Sequence, residues 1–168
     1  SVLVEPVLGR GGVVEGDGEA LGEIVRMAHA AGAVVIADEI YTGSFRCADG
    51  WCLSGVAWSE LPDVVVLGKA LGGGLPISAC LLRDEVAVAW GDPDGEAVHT
   101  STFLGNPLAC SAALAVMDEL ENPTVRALVR AQATAFWTDV IEPVAGDRRC
   151  GVLDVGGRGL LVSVRLDG

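Results

Sequence analysis

The sequence lacks several features that would indicate particular classes of protein. It has no run of basic residues, and 11 Lys and Arg against 23 Asp and Glu give a net charge of −12. Nucleic acid and anionic membranes are therefore not expected partners. The two His and five Cys show no CxxC or His-paired spacing, so we expect no metal site. The chain opens on Ser1 without the basic start of a secretory signal, and we expect a cytoplasmic protein.

Cysteine does not occur in a pattern that would indicate an oxidising compartment. The count of five is odd, and only Cys47 and Cys52 are spaced so that they could form a bridge within one loop. Cys80 and Cys110 lie in apolar stretches of the sequence. We predict that both are buried thiols.

Aromatic residues are also scarce, at 5% of the chain, although 51% of it is apolar. Ala, Val, Leu and Gly dominate, which is typical of a tightly packed α/β domain and not of a disordered chain. The longest apolar stretch, 64–82, contains Lys69 as its single charge. Four glycines, Pro76 and the central Lys69 argue against a membrane-spanning helix there.

The first third of the chain predicts a strand, a helix and a second strand. Apolar residues end at Val4, Asp17 is a candidate N-cap, and a helical stripe of apolar residues follows and ends at Gly32. A second apolar strand, 33–37, leads into Asp38. This order is that of a βαβ unit with parallel strands. The run 64–67 shows no alternation, so we predict a strand covered on both faces, and 77–82 is a further strand.

The rest of the chain is predicted to be mainly helical. Asn106-Pro107 introduces a long helix with alanine on nearly all sides, which we predict to be buried. Asn122-Pro123 interrupts it, and a second, amphipathic helix runs over 124–141. We expect 146–159 to be a loose glycine-rich segment and 160–166 to be a strand.

Two charged residues follow the predicted parallel strands. Asp38 ends one strand and Lys69 follows the next, and parallel strands present their carboxyl ends at one rim of the sheet. One chemistry that needs both is that of pyridoxal phosphate, in which a lysine binds the cofactor aldehyde and an acid keeps the ring nitrogen protonated. The glycines after Lys69 allow close backbone approach. The alternatives, a surface lysine and an ordinary cap at a strand end, remain open on these two residues alone.

Four segments, in this order, resemble the class III (ornithine/acetylornithine/omega-type) aminotransferases of pyridoxal phosphate fold type I. They are VEPVLGRGGV at 4–13, ADEIYTG at 37–43, PDVVVLGKALGGGLP at 62–76 and TSTFLGNPLAC at 100–110. The resemblance implies a three-layer α/β fold whose mostly parallel sheet belongs to the family's large domain, followed by the start of a small α+β C-terminal domain. Residues 1–120 would be part of the large domain and 121–168 the beginning of the small one, both incomplete.

The resemblance also implies site residues and a cofactor, pyridoxal 5'-phosphate. Lys69 matches the Schiff-base lysine and Asp38 the acid on the pyridine nitrogen, and these two form the catalytic pair. Thr102 matches a hydroxyl that binds the cofactor phosphate of a partner subunit, which implies a homodimer. The other implied cofactor-binding residues are Glu5, Glu39 and Tyr41.

Three positions depart from the family pattern. Tyr41 stands where many members have Gln, and Leu104 replaces a common Gly. Arg10 replaces the Glu that gates a substrate-binding arginine in ornithine-type members. The family's phosphate loop, its ring-stacking aromatic residue and its carboxylate-binding arginine are absent from these 168 residues, so we expect a partial chain.

The resemblance implies transamination, in which an amino group moves from an amine or amino acid donor to a keto acid or aldehyde through the lysine Schiff base. Two alternatives remain open in the sequence. One is a mutase, racemase or decarboxylating relative that uses the same cofactor. The other, if the chain is complete, is a non-catalytic fragment.

Overall fold

The structure, a computed structural model, describes residues 1–47, 50–51, 57–90, 99–145 and 147–167. The strands described are β1 (Val2–Val4), β2 (Val7–Leu8), β3 (Val14–Glu15), β4 (Val35–Asp38), β5 (Val64–Leu67), β6 (Ala79–Leu82), β7 (Val152–Arg158) and β8 (Leu161–Leu166). The α-helices described are α1 (Gly18–Ala30), α2 (Asp84–Trp90), α3 (Pro107–Glu121), α4 (Pro123–Phe136) and α5 (Glu142–Val144).

The main sheet has the strand order β1-β4-β5-β6. The first three strands are parallel, and β6 pairs antiparallel with β5 at the edge. The α/β class and the mostly parallel sheet predicted from the sequence are thereby confirmed. Residues 64–82, the longest apolar stretch, fold as β5, a 3₁₀ turn (Lys69–Gly72) and β6. Within the described ranges, the helices lack the length and apolar character that crossing a bilayer requires.

Helix α1 connects the parallel strands β1 and β4, as the sequence predicted. The side chain of Asp17 caps it by accepting a hydrogen bond from the amide of Ala20 at 2.8 Å. The helix ends at Ala30, and Gly32 follows with a φ of 69°, a conformation that glycine adopts without strain. Helix α1 buries Val25 and Ala28 in a cluster with Val35 of β4.

The two faces of the sheet differ in how they are covered. Side chains alternate along each strand, so the paired residues place Val35, Val65 and Leu67 on one face. Two helices pack on that face through buried apolar clusters. Helix α1 contributes Val25 to one cluster, and α3 contributes Ala113 to the other. The other face is partly exposed, with Leu3 at 64% relative exposure.

This arrangement corrects the predicted burial of two cysteines. Cys80 pairs with Val66 on the partly exposed face and is itself exposed, because no described helix is clustered there. Cys110 lies on α3 and is half-buried. An apolar sequence context therefore did not specify burial, since burial depends on which element packs against the face.

Helices α3 and α4 follow each other through one shared residue. Asn106 caps the start of α3, and Asn122 ends α3 and caps α4 by accepting from the amide of Thr124 at 2.9 Å. The prediction that α3 is buried was wrong for this chain, because only Ala109 and Ala113 are buried on it. The second helix is also shorter than predicted: α4 ends at Phe136, and a π-helical segment (Trp137–Ile141) and α5 continue it.

The C-terminal segment forms an antiparallel hairpin, β7 and β8, that packs back on the first third of the chain. The predicted loose segment over 146–159 was wrong for 152–158, which is β7. Leu161 joins a buried cluster with Val7, Val13 and Cys47. The hydroxyl of Ser163 donates a hydrogen bond to the carbonyl of Gly12 at 2.6 Å. The hairpin thereby fixes a loop that reaches the candidate site.

A buried carboxylate holds together the amino-terminal edge of the sheet, opposite the end where Lys69 lies. Asp63 Oδ2 accepts a hydrogen bond from the Val35 amide at 2.7 Å and lies 2.9 Å from His29 Nε2. Arg83 Nε is 3.7 Å from Oδ1. Burial opposes ionisation of this group, but the hydrogen bonds from Val35 and His29 and the charges of His29 and Arg83 outweigh it and lower the pKa of Asp63.

Candidate active site

Lys69 is positioned by β5 and by the turn that follows it. It is the only lysine among the 168 residues and begins the 3₁₀ turn with a φ of 39°. A non-glycine residue in this region is strained by about 1–3 kcal/mol, so the surrounding structure must hold it there. Leu71, two residues later, is buried with Leu67 and with Ala113 of α3. The turn is thus anchored in the core while the amine of Lys69 is exposed.

Asp38 is the last residue of β4 and pairs in register with Val66 of β5. It is half-buried, and its Oδ1 accepts a hydrogen bond from the Ile40 amide at 3.0 Å. This bond fixes the carboxylate where the chain leaves the strand. Alternation puts Asp38 on the partly exposed face of the sheet, the face not covered by α1 or α3.

The structure brings Lys69 and Asp38 to one cavity of about 490 Å³ at the carboxyl-terminal edge of the parallel strands. This is the edge at which open α/β sheets bind their ligands. Of the residues implied by the sequence, four line the cavity. The complete lining is Glu5, Gly9, Arg10, Asp38, Ile40, Tyr41 and Lys69.

Tyr41 and Lys69 are in direct contact within the cavity. The Nζ atom of Lys69 lies 4.6 Å from the centre of the Tyr41 ring, a cation–π distance. Gly9 makes room for this ring, since a Cβ atom at that position would overlap the Tyr41 Cδ1 and Cε1 atoms. Gly9 is therefore a site residue that was not predicted. The glycines of the first motif were the available signal, but which of them meets a ring depends on the fold.

The two predicted glutamates occupy different environments. Glu5 lines the cavity and accepts a hydrogen bond from the Gly9 amide at 3.1 Å. Glu39 is 1% exposed, does not line the cavity, and accepts from the hydroxyl of Thr42 at 2.5 Å. Because Glu39 supports the turn after β4 from inside the protein, the structure separates it from the Lys69 cavity.

Thr102 is not among the residues that line the cavity. It belongs to the exposed segment 101–105, directly before the Asn106 cap of α3. Apolar side chains beside it are also exposed, with Phe103 at 77%, Leu104 at 66% and Leu108 at 69%. The structure of a single chain therefore does not bring Thr102 together with Lys69.

Cys47 is a buried thiol that does not line the cavity. Burial, and secondarily the charge of Glu39, raise the pKa of the Cys47 thiol to about 11. Cys47 is free, and Cys52, its predicted bridging partner, lies outside the described residues. In the described part of the chain, the His, Cys, Asp and Glu side chains form no group of three that could hold a metal ion.

The donor set of the cavity fits pyridoxal phosphate. An amine and a carboxylate, both held by their own strand ends, are the two protein groups that this cofactor requires at its aldehyde and its ring nitrogen. The volume of about 490 Å³ lies in the usual range for small-molecule sites.

Comparisons with known proteins agree with this chemistry. The family model described as aminotransferase class-III matches residues 1–168. The chain is 34% identical to a mitochondrial acetylornithine aminotransferase of Alnus glutinosa over 99% of its own length and 35% of that protein. It is 36% identical to the succinylornithine transaminase of Yersinia pseudotuberculosis, covering 99% of the chain and 38% of the relative.

A solved structure of ornithine delta-aminotransferase from Plasmodium falciparum superposes on the chain with a TM-score of 0.79. The two are 31% identical, and the match covers 98% of this chain and 42% of that one. The fold is thus that of the pyridoxal phosphate fold type I aminotransferases. The chain spans less than half the length of the relatives that it matches.

Proposed function

The chain belongs to the class III aminotransferase family, and from this premise we propose that the full-length protein catalyses pyridoxal phosphate-dependent transamination. One observation carries the proposal: the only lysine of the chain and the Asp38 carboxylate line the same cavity at the carboxyl-terminal edge of the sheet. The relatives are named for acetylornithine, succinylornithine and ornithine. We therefore propose an amine or amino acid donor and a keto acid or aldehyde acceptor.

Pyridoxal phosphate supplies, when bound, an aldehyde that takes the amino group and a ring that withdraws electrons. Lys69 would hold the cofactor covalently through Nζ and, when free, carry a proton as general acid and base. Asp38 would keep a proton at the ring nitrogen through its oriented carboxylate. Tyr41 and Glu5 would bind the cofactor at the rim of the cavity. Tyr41 already contacts the amine of Lys69 there. Glu39 would act from behind the site by supporting the turn that carries Tyr41.

We further propose a homodimer in which Thr102 reaches the partner's cofactor phosphate. The exposed apolar residues beside Thr102 support this, because a surface with several large exposed apolar side chains is typical of an interface. Light scattering on the purified protein would give twice the monomer mass. A Phe103→Asp variant puts a charge on that surface, so its dimer should dissociate into monomers.

Two further proposals concern the domain boundary and the cellular location of the protein. We place a domain boundary at about residue 121, supported by the break at Asn122 between α3 and α4. We also propose a cytoplasmic location, supported by the four free cysteines among the described residues. Limited proteolysis and cell fractionation test these two statements.

The experiment that tests the function uses the full-length protein with pyridoxal phosphate. Borohydride reduction followed by peptide mass spectrometry should place the cofactor on the Lys69 peptide, and Lys69→Ala should lose both the adduct and the activity. Asp38→Asn should lower the transamination rate by about 10²-fold or more. The matched control is Asp154→Asn, which removes the same charge from an exposed hairpin residue.

Donor and acceptor screens decide the reaction type. Transfer of the amino group to a keto acid without release of carbon dioxide supports transamination. Carbon dioxide release, isomerisation of the donor, or absence of any adduct on Lys69 would contradict the proposal.

A further inference from the structure

Arg10 is the second cation of the Lys69 cavity. It lines the cavity together with Lys69, on the loop that connects β2 to β3. Its side chain forms no ion pair within the described residues, although Glu5 and Asp38 line the same cavity. Both of those carboxylates accept hydrogen bonds from backbone amides, Glu5 from Gly9 and Asp38 from Ile40.

The state of Arg10 differs from that of most other arginines in this acidic chain. Five of them pair with a carboxylate at 4 Å or less: Arg26, Arg83, Arg149, Arg158 and Arg165. With a net charge of −12, acidic partners are abundant. The Arg10 guanidinium lines a cavity and pairs with no carboxylate of the described residues. It is therefore available to an anion that enters the cavity.

The loop that carries Arg10 is held at both ends. Before it, the Gly9 amide donates to Glu5, and after it the carbonyl of Gly12 accepts from the Ser163 hydroxyl at 2.6 Å. Gly11 and Gly12 have φ values of 85° and 118°, which only glycine adopts readily. This anchoring reduces the entropy that Arg10 would lose on binding a ligand.

We infer that Arg10 binds an anionic group of the substrate, a carboxylate in the first instance, while the substrate's amino or keto carbon lies at Lys69. The guanidinium fork matches the two oxygens of a carboxylate. The inference rests on the proposed function for the reacting end of the substrate and names its class: amino donors or keto acceptors with a carboxylate remote from the reacting carbon.

The test measures binding separately from turnover. The probe is glutarate, a dicarboxylate without amine or keto group, titrated into the full-length holoenzyme by calorimetry, with glutaramide as the uncharged probe. Arg10→Gln should weaken glutarate binding at least about tenfold and leave glutaramide binding unchanged. Arg10→Lys should give an intermediate affinity, because it keeps the charge and loses the fork. Arg165→Gln, the same change at an exposed hairpin position, should bind glutarate like the wild type.

The kinetic arm compares donors with and without a remote carboxylate. Arg10→Gln should raise KM at least about tenfold for the carboxylate-bearing donors only, with kcat for uncharged amines preserved. Unchanged glutarate affinity in Arg10→Gln would overturn the inference, as would a loss confined to pyridoxal phosphate affinity, which would assign Arg10 to the cofactor. If no donor is turned over by the wild type, the proposed function fails, whereas the glutarate titration still decides the role of Arg10.

Discussion

Removal of the Asp63 carboxylate should destabilise the fold without changing the site. In Asp63→Ala the buried Val35 amide loses its 2.7 Å acceptor, which costs about 1–3 kcal/mol. The interactions with His29 and Arg83 add at most about 1 kcal/mol, since these side chains are 42% and 45% exposed and well solvated. We expect a loss of about 1–4 kcal/mol in the free energy of unfolding for Asp63→Ala. Asp63→Asn, which keeps an acceptor oxygen, should lose about 1–2 kcal/mol.

The pH dependence identifies the carboxylate as the cause. The pKa of Asp63 in the folded protein lies below its ordinary value of 3.8, so the folded state binds the proton less readily than the unfolded state. The stabilisation is therefore complete well above pH 3.8 and is lost as the pH falls through the lowered pKa. The stability difference between wild type and Asp63→Asn should be largest near neutral pH and shrink below pH 4.

Urea unfolding of the full-length, cofactor-free protein, followed by far-ultraviolet circular dichroism, measures these differences. Asp154→Asn is the matched control, because its ion pair with Arg165 is exposed and should change stability by less than about 0.5 kcal/mol. A difference between wild type and Asp63→Asn that stays constant from pH 7 to pH 3 would refute the assignment, as would equal effects of Asp63→Ala and the control.

Three further experiments test the description of the site and its surroundings. Gly9→Ala should displace the Tyr41 ring and lower pyridoxal phosphate affinity by about tenfold, measured by fluorescence titration; an unchanged affinity would show that the overlap is relieved elsewhere. Cys47, with its pKa near 11, should resist iodoacetamide at pH 8 while exposed Cys80 reacts, and equal labelling in the folded protein would contradict this. Gly73→Ala should destabilise by about 1–2 kcal/mol, read from the urea midpoint, because its φ is 57° and a valine methyl of α3 lies 2.8 Å from the added carbon; no shift would refute the contact.

The sequence by itself determined the local secondary structure and the placement of Asp38 and Lys69 at one edge of the sheet. Asp17 caps the helix for which it was predicted, and α3 begins at Pro107, where the sequence predicted a helix to start. The bounds of β5 agree with the apolar run 64–67. These features depend on neighbours a few residues away, which the sequence shows directly. The shared rim of Asp38 and Lys69 followed from the rule that parallel strands end at the same edge.

Only the tertiary structure decided which side chains are covered and which face the cavity. Cys80 is exposed, although its apolar sequence context indicated a buried thiol. Glu39, whose role only the family resemblance implied, is buried behind the turn that follows β4. The contact of Gly9 with Tyr41 and the position of Arg10 beside Lys69 join segments some 30 to 60 residues apart. Such proximities depend on how the sheet, the loops and the C-terminal hairpin pack together, because burial and cavity lining are properties of distant elements meeting and not of local pattern.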